Sequence, residues 1–234
     1  MAKKVLIHWL ESLGDLFVMR SCLGCETALT RQEQHLCLGC LEGLEPTFSH
    51  HKPDDNDIYR RIAGKVPIAG AFGMFYFDKG GNLQRLLQAL KYSEQPEIGV
   101  WIGKKYGREL QTTPLITQVN GILPVPLHPK KARKRGYNQA EKICEGLSES
   151  LGIPLRTDLL IRTKHTGSQT KLSGQNRYTN VATAFKVVKE CPESVLLVDD
   201  VITTGATLEA CIKALLASPV PPSSIQILSI GVAR

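Results

Sequence analysis

The sequence predicts an α/β protein: a parallel sheet flanked by helices, with a small zinc ribbon at its N terminus. Three observations carry this. First, Val195-Leu196-Leu197-Val198 is a short, branched, apolar run that suits a central parallel strand buried on both faces. Second, it gives way to Asp199-Asp200, then to the small-residue stretch Thr203-Thr204-Gly205-Ala206-Thr207. Apolar positions at helical spacing follow: Leu208, Cys211, Ile212, Leu215 and Leu216. Third, Cys22, Cys25, Cys37 and Cys40 stand in a C-x2-C-x11-C-x2-C pattern.

The order strand, acidic pair, tight turn, helix start has a chemical meaning. In open α/β sheets ligands bind beyond the carboxyl ends of strands. A helix N terminus offers free amides and a positive dipole end to a phosphate. Asp199 and Asp200 suit a pair of sugar hydroxyls, and Thr203, Thr204 and Thr207 offer hydroxyls to phosphate oxygens. Gly205 and Ala206 let the backbone come close. A sugar phosphate is the natural guest. The plainer alternative is a strand–turn–helix with two solvated acids.

The 234 residues hold one or two domains, and a hydrophobic content of 42% is enough for a sizeable core. No apolar run is long enough to span a membrane, so no stable membrane insertion is expected. The net charge of +7 is concentrated: residues 121–180 hold 11 Lys/Arg against 4 Asp/Glu, and the remainder is balanced. This points to an anionic ligand in that segment, with nucleic acid and pyrophosphate both qualifying.

In residues 1–19, Leu6, Trp9, Leu10, Leu13, Leu16 and Phe17 have helical spacing, while Glu11 and Asp15 break any signal-peptide core. An amphipathic helix that packs on its own protein is expected. The four cysteines satisfy tetrahedral zinc, each x2 turn letting two sulfurs converge on one ion. Two disulfides would be the alternative in a secreted protein, but nothing marks secretion. Structural zinc in a reducing cytoplasm is the expectation, with His35 as an alternative ligand or a solvated loop residue. The domain reading is therefore 1–45 for the helix and ribbon, 46–66 for a polar linker, and 67–234 for the catalytic-type domain.

Within that domain, residues 68–77 read as a strand, and Leu83 to Leu90 as a helix delivering Lys91-Tyr92. A second helix spans about 97–110. Gly121 to Pro129 reads as a short strand leaving into a proline-stiffened loop, followed by the basic cluster Lys130-Lys131-Ala132-Arg133-Lys134-Arg135. Gly136-Tyr137-Asn138-Gln139-Ala140-Glu141 then opens a helix through Leu147 to Leu151, and a last strand spans 225–232. Taken alone, the basic cluster fits a pyrophosphate site, an RNA-binding patch or a solvated loop.

The stretch 195–208 closely resembles the PRPP (5-phosphoribosyl 1-pyrophosphate) motif of type I phosphoribosyltransferases. The string Pro124 to Ala140, with its Arg135-Gly136-Tyr137-Asn138-Gln139 core, resembles the ComF/GntX family of phosphoribosyltransferase-like proteins linked to bacterial competence and DNA utilisation. So does the later set Arg162-Thr163, Gln169-Thr170, Leu172, Arg177, Asn180-Val181 and Ala184-Phe185, together with the four cysteines and Lys91-Tyr92. The resemblance covers nearly the whole chain. It implies a type I phosphoribosyltransferase-like fold, with Asp199 and Asp200 on the ribose hydroxyls as the catalytic acids and Thr203 to Thr207 on the 5′-phosphate.

It also implies a pyrophosphate loop around Pro126 with Arg133 and Arg135 near the anion, a mobile hood over Arg162 to Arg177 including Gln169, and a contribution from Lys91. Mg2+ is the implied companion of PRPP, in a phosphoribosyl transfer of the pentosyltransferase class. The sequence shows no Ser-His-Asp or Cys-His arrangement for hydrolysis. The alternative is a non-catalytic PRPP or nucleotide sensor, or an adaptor for single-stranded DNA or the competence proteins. For DNA, 121–180 offers only Tyr137 and Tyr178 as stacking aromatics.

Overall fold

A computed structural model describes residues 20–163 and 184–234. The expected helix in 1–19, and Gln169 and Arg177 with most of the hood, lie outside the described residues. In chain order the elements begin with α1 (Leu38–Glu42), α2 (Asp57–Ala63), β1 (Gly70–Phe77), α3 (Asn82–Tyr92), α4 (Glu97–Leu110), α5 (Pro114–Thr117) and β2 (Gly121–Pro124). They continue with α6 (Pro129–Arg135), α7 (Gln139–Leu151), β3 (Leu160–Arg162), β4 (Phe185–Val187), β5 (Ser194–Ile202), α8 (Ala206–Leu216) and β6 (Ser224–Ala233).

Four strands form one parallel sheet in the order β1-β6-β5-β2. β3 and β4 pair antiparallel as a separate two-stranded ladder. β5 is interior, and its apolar run divides by the strand period of two. Leu196 and Val198 join the layer of α3, α4 and α7 with Leu86, Leu90, Ile102 and Ile143. Val195 and Leu197 join the opposite layer with Ile58 and Ile62 of α2 and Leu208, Ile212 and Leu215 of α8. A strand walled in on both sides has no polar face to present, which is why its sequence is continuously apolar.

The connections place a crevice. After β2 the chain crosses one face through α7 and returns at Leu155, bridged in parallel to Ile122 on the outer side of β2. After β5 it crosses the other face through α8 to β6. Neighbouring strands β2 and β5 therefore send the chain away in opposite directions, and the gap between their carboxyl ends is the topological switch point, the usual ligand position in such sheets.

One segment departs from the sequence reading, and one packing feature had no expectation attached to it. Residues 46–66, expected as a polar linker, carry a 3-10 turn at Ser49–His51 and helix α2, capped by the Asn56 side chain. Ile58 and Ile62, one turn apart on that helix, are buried against the sheet. α4 and α7 meet along a glycine stripe: a Cβ at Gly103 would lie 2.2 Å from the Ile143 carbonyl oxygen, and one at Gly146 2.1 Å from that of Val100.

Candidate functional site

The acidic pair lies inside β5 rather than beyond it, because β5 continues pairing with β6 through Ile202. On its other edge the ladder stops. β2 ends at Pro124 opposite Val198, with a last bond from the Val125 amide to the Val198 carbonyl at 2.8 Å. Continued parallel pairing would bring the Asp200 amide to the Val125 carbonyl. Instead that carbonyl accepts from Asn138 Nδ2 at 3.0 Å, and the Asp200 amide turns to Asp199 Oδ1 at 2.9 Å. Asp200 Oδ1 in turn accepts from the Val201 amide at 2.9 Å. Asn138 also caps α7 by accepting from the Ala140 amide at 3.1 Å. One side chain thus starts a helix and prises open the end of the sheet.

Both carboxylates are half-buried at the mouth of the switch-point crevice. Burial, reinforced by the neighbouring Asp200 carboxylate, pushes the Asp199 carboxyl up to about 7. Asp200 pairs with the Lys91 ammonium at the C-terminal end of α3. The next residue, Tyr92, is exposed and accepts from Arg135 Nη2 at 3.2 Å, with the guanidinium 5.0 Å from the ring centroid. Arg135 Nη1 also donates to Gln139 Oε1 at 2.7 Å. This hydrogen bond from Arg135 holds the Tyr92 hydroxyl below its ordinary value. Lys91-Tyr92 therefore joins the acidic pair to the basic segment.

That segment is helical: α6 spans Pro129–Arg135, capped by His128 Nδ1 on the Lys130 amide at 3.2 Å. The proline at its first position has no amide to leave unsatisfied. Pro126 lies between β2 and α6, and Arg133 is exposed on α6, whereas Arg135 is engaged with Tyr92 and Gln139.

Beyond β5, Thr203, Thr204, Ala206 and Thr207 are exposed and Gly205 is buried. Gly205 is the residue before α8, with a left-handed φ of 78°. The Ala206 amide points to Thr204 Oγ1 at 3.4 Å, and Gly205 provides no side-chain cap to the helix. A helix start whose N-cap glycine supplies no side-chain bond, flanked by exposed threonine hydroxyls, has the chemistry that suits an anion. Sequence reasoning missed what lies beneath it. Arg61 Nη1 donates to the carbonyls of Thr203 and Ala233, both at 2.8 Å, and the Ile62 side chain fills the space a Cβ on Gly205 would occupy. The polar composition of 46–66 concealed these contacts. Ile58 and Ile62, four residues apart after Asn56, were the available signal.

The four cysteines converge: their Sγ atoms all lie within 4.8 Å of one another, and those of Cys25 and Cys37 are 3.6 Å apart. Tetrahedral zinc with bonds of about 2.3 Å sets sulfurs about 3.8 Å apart, so the donor set fits such an ion. Backbone amides already face the sulfurs: Gly24 and Cys37 donate to Cys22 Sγ at 3.3 and 3.2 Å, and Cys40 to Cys37 Sγ at 3.4 Å. Hydrogen bonding by Thr27 lowers the Cys25 thiol to about 6, whereas burial pushes that of Cys40 up to about 12. His35 is not among the clustered groups. It is half-buried, edge-on to Trp101 with ring centroids 5.3 Å apart. Asn82 Nδ2 and Arg85 of α3 bond the carbonyls of Cys40 and Gly24, fastening this element to the same helix that carries Lys91 in its last turn.

Among the described residues no helix is long and apolar enough to cross a membrane. Fold and site together define a class: an α/β protein with an acidic pair and a threonine–glycine loop at the sheet's switch point, and a four-cysteine cluster able to hold a metal. The comparisons narrow it. The chain is 31% identical over 216 residues to competence protein F of Haemophilus influenzae, covering 83% of this chain and 90% of that protein. It is 30% identical over 208 residues to the DNA utilization protein YhgH of Escherichia coli K12, covering 83% of each. It is also 34% identical over 91 residues to the competence protein ComFC of Streptococcus pneumoniae, 39% of each chain.

The chain belongs to this competence protein F family. No protein-family model matches it. Among solved structures, the adenine phosphoribosyltransferase of Leishmania tarentolae aligns over 76% of this chain and 88% of its own, at 12% identity and a TM-score of 0.35.

Proposed function

We propose that this protein binds PRPP with Mg2+ at the switch point and transfers its phosphoribosyl group, in the service of DNA uptake or utilisation. One observation carries the reading. The half-buried Asp199-Asp200 pair stands at the opened edge of β5, and the same strand leads directly into a loop of exposed threonines and a helix start whose N-cap glycine supplies no side-chain bond. That arrangement supplies acceptors for two vicinal hydroxyls on one side and donors for a phosphate on the other, as a sugar phosphate demands. The relatives' names, a competence protein and a DNA utilization protein, supply the biological setting.

In the transfer, the bond from the anomeric carbon to the pyrophosphate oxygen breaks and the pyrophosphate leaves with the electron pair. The acceptor's lone pair forms the new bond to that carbon, and the acceptor's proton passes to water. Asp199 and Asp200 hold the ribose hydroxyls and place negative charge near the developing oxocarbenium ion. The loop Thr203 to Thr207 anchors the 5′-phosphate, and the cations of α6 face the leaving group. Mg2+, when bound, neutralises pyrophosphate oxygens. Zn2+ in the four-cysteine element is structural, since all four ligand positions are filled by protein. We place the protein in the cytoplasm, where thiols stay reduced.

The test is pyrophosphate release from PRPP and Mg2+ across a panel of nucleobases. Release by the wild type, lost in the Asp199→Asn, Asp200→Asn double variant, supports transfer. PRPP binding without release under any acceptor would leave a PRPP sensor in its place.

A further inference from the structure

α2 is the floor of the anion loop. From this seven-residue helix and the residues just after it, three side chains reach the loop and the start of α8. Arg61 bonds the Thr203 and Ala233 carbonyls, Ile62 lies under Gly205, and Lys65 stands 4.0 Å from Glu209 in the first turn of α8. The Arg61 bond to Thr203 is the telling one. The Thr203–Thr204 peptide is trans, as are all the described peptides. Across a trans peptide the C=O and the following N–H point in opposite directions. Holding the Thr203 carbonyl against Arg61 therefore turns the Thr204 amide away from α2, to the outer side of the loop, where Thr203 and Thr204 are exposed. The second bond, to Ala233 at the end of β6, fixes the guanidinium to the sheet, so the loop is referenced to a rigid strand.

We propose that Arg61 is a positioning residue for the phosphate subsite: its guanidinium, anchored on Ala233, fixes the Thr203–Thr204 peptide so that the loop amide faces the bound 5′-phosphate. The permanent positive charge of arginine beneath the loop also favours an anion above it. This rests on the sugar-phosphate reading of the loop, and it assigns to a segment outside the recognised motif the preference for a phosphorylated sugar.

Two probes separate the subsites. Ribose 5-phosphate needs the loop, and pyrophosphate with Mg2+ needs the basic side of the crevice. Calorimetry on the full chain is expected to show Arg61→Ala weakening ribose 5-phosphate about tenfold or more, the scale of one charge-assisted hydrogen bond. Pyrophosphate affinity stays within about twofold. Arg61→Lys, which keeps the charge and one donor, recovers part of the loss and serves alone if the alanine variant does not fold, with a loss confined to ribose 5-phosphate. Unchanged ribose 5-phosphate affinity, or equal loss of both probes, overturns the positioning role. A wild type that binds pyrophosphate but not ribose 5-phosphate overturns the sugar-phosphate reading of the loop, and this inference with it.

Discussion

Replacing Asp199 with asparagine should stabilise the ligand-free protein, and the gain should grow with pH. The folded chain holds the Asp199 proton up to about pH 7, whereas an unfolded aspartate releases it near 3.8. Between those values the folded state binds more protons than the unfolded one, so the Asp199 contribution to stability falls as pH rises through the window and is lowest above it. Each pH unit between the two values is worth about 1.4 kcal/mol. The full displacement from 3.8 to about 7 would amount to roughly 4 kcal/mol. The side chain is only half-buried, so water screens part of this and about 2 kcal/mol remains. For a chain of this size that is a rise in melting temperature of about 4–8 °C. Melting curves of wild type and Asp199→Asn at pH 4 and pH 8 should nearly coincide at the lower pH and separate at the higher. Equal stability at pH 8, or a variant less stable there, would refute the view that burial, reinforced by the neighbouring Asp200 carboxylate, disfavours the ionised Asp199.

Three further outcomes follow from the same geometry. Gly205→Ala should reduce PRPP affinity at least tenfold and lower stability by about 1–2 kcal/mol, since φ is 78° and the new Cβ meets Ile62; chemical denaturation and calorimetry check the two parts. Cys37→Ser should release the one zinc per chain that resists dialysis in the wild type, as read by metal analysis; a wild type without bound metal sinks the zinc assignment. Gly103→Val should lower stability by about 3 kcal/mol or more, because Ile143 backbone atoms leave no room for a side chain between α4 and α7.

The elements with clear periodicity were legible in the sequence. The helix expected at about 97–110 is α4 at Glu97–Leu110, and the last strand expected at 225–232 is β6 at Ser224–Ala233. The acidic pair and the loop after it were legible as neighbours, because one short strand–turn–helix carries both. The end of β5 was not. The apolar run stops at Val198, yet β6 still supplies partners to Ile202, and strand pairing outlasts hydrophobicity wherever a neighbour remains. α6 was concealed by its charge, since a helix of lysines and arginines has no apolar stripe to read, and only Pro129 after His128 marks its start. α2 was concealed by its polar neighbours. Contacts between residues distant in the chain, Lys91 with Asp200 and Arg61 with Thr203, leave no local pattern at all.

The central claim is that the switch-point crevice holds PRPP. Calorimetric titration of the full chain with PRPP and Mg2+, repeated after adding oligo-dT, tests it most directly. Saturable binding that disappears in the Asp199→Asn, Asp200→Asn variant, with the fold retained by circular dichroism, is the predicted result. An absence of PRPP binding in the wild type, or an affinity indifferent to both substitutions, would contradict the account. Salt-sensitive binding of oligo-dT in that case would place DNA handling, on a retained transferase-like scaffold, in its stead.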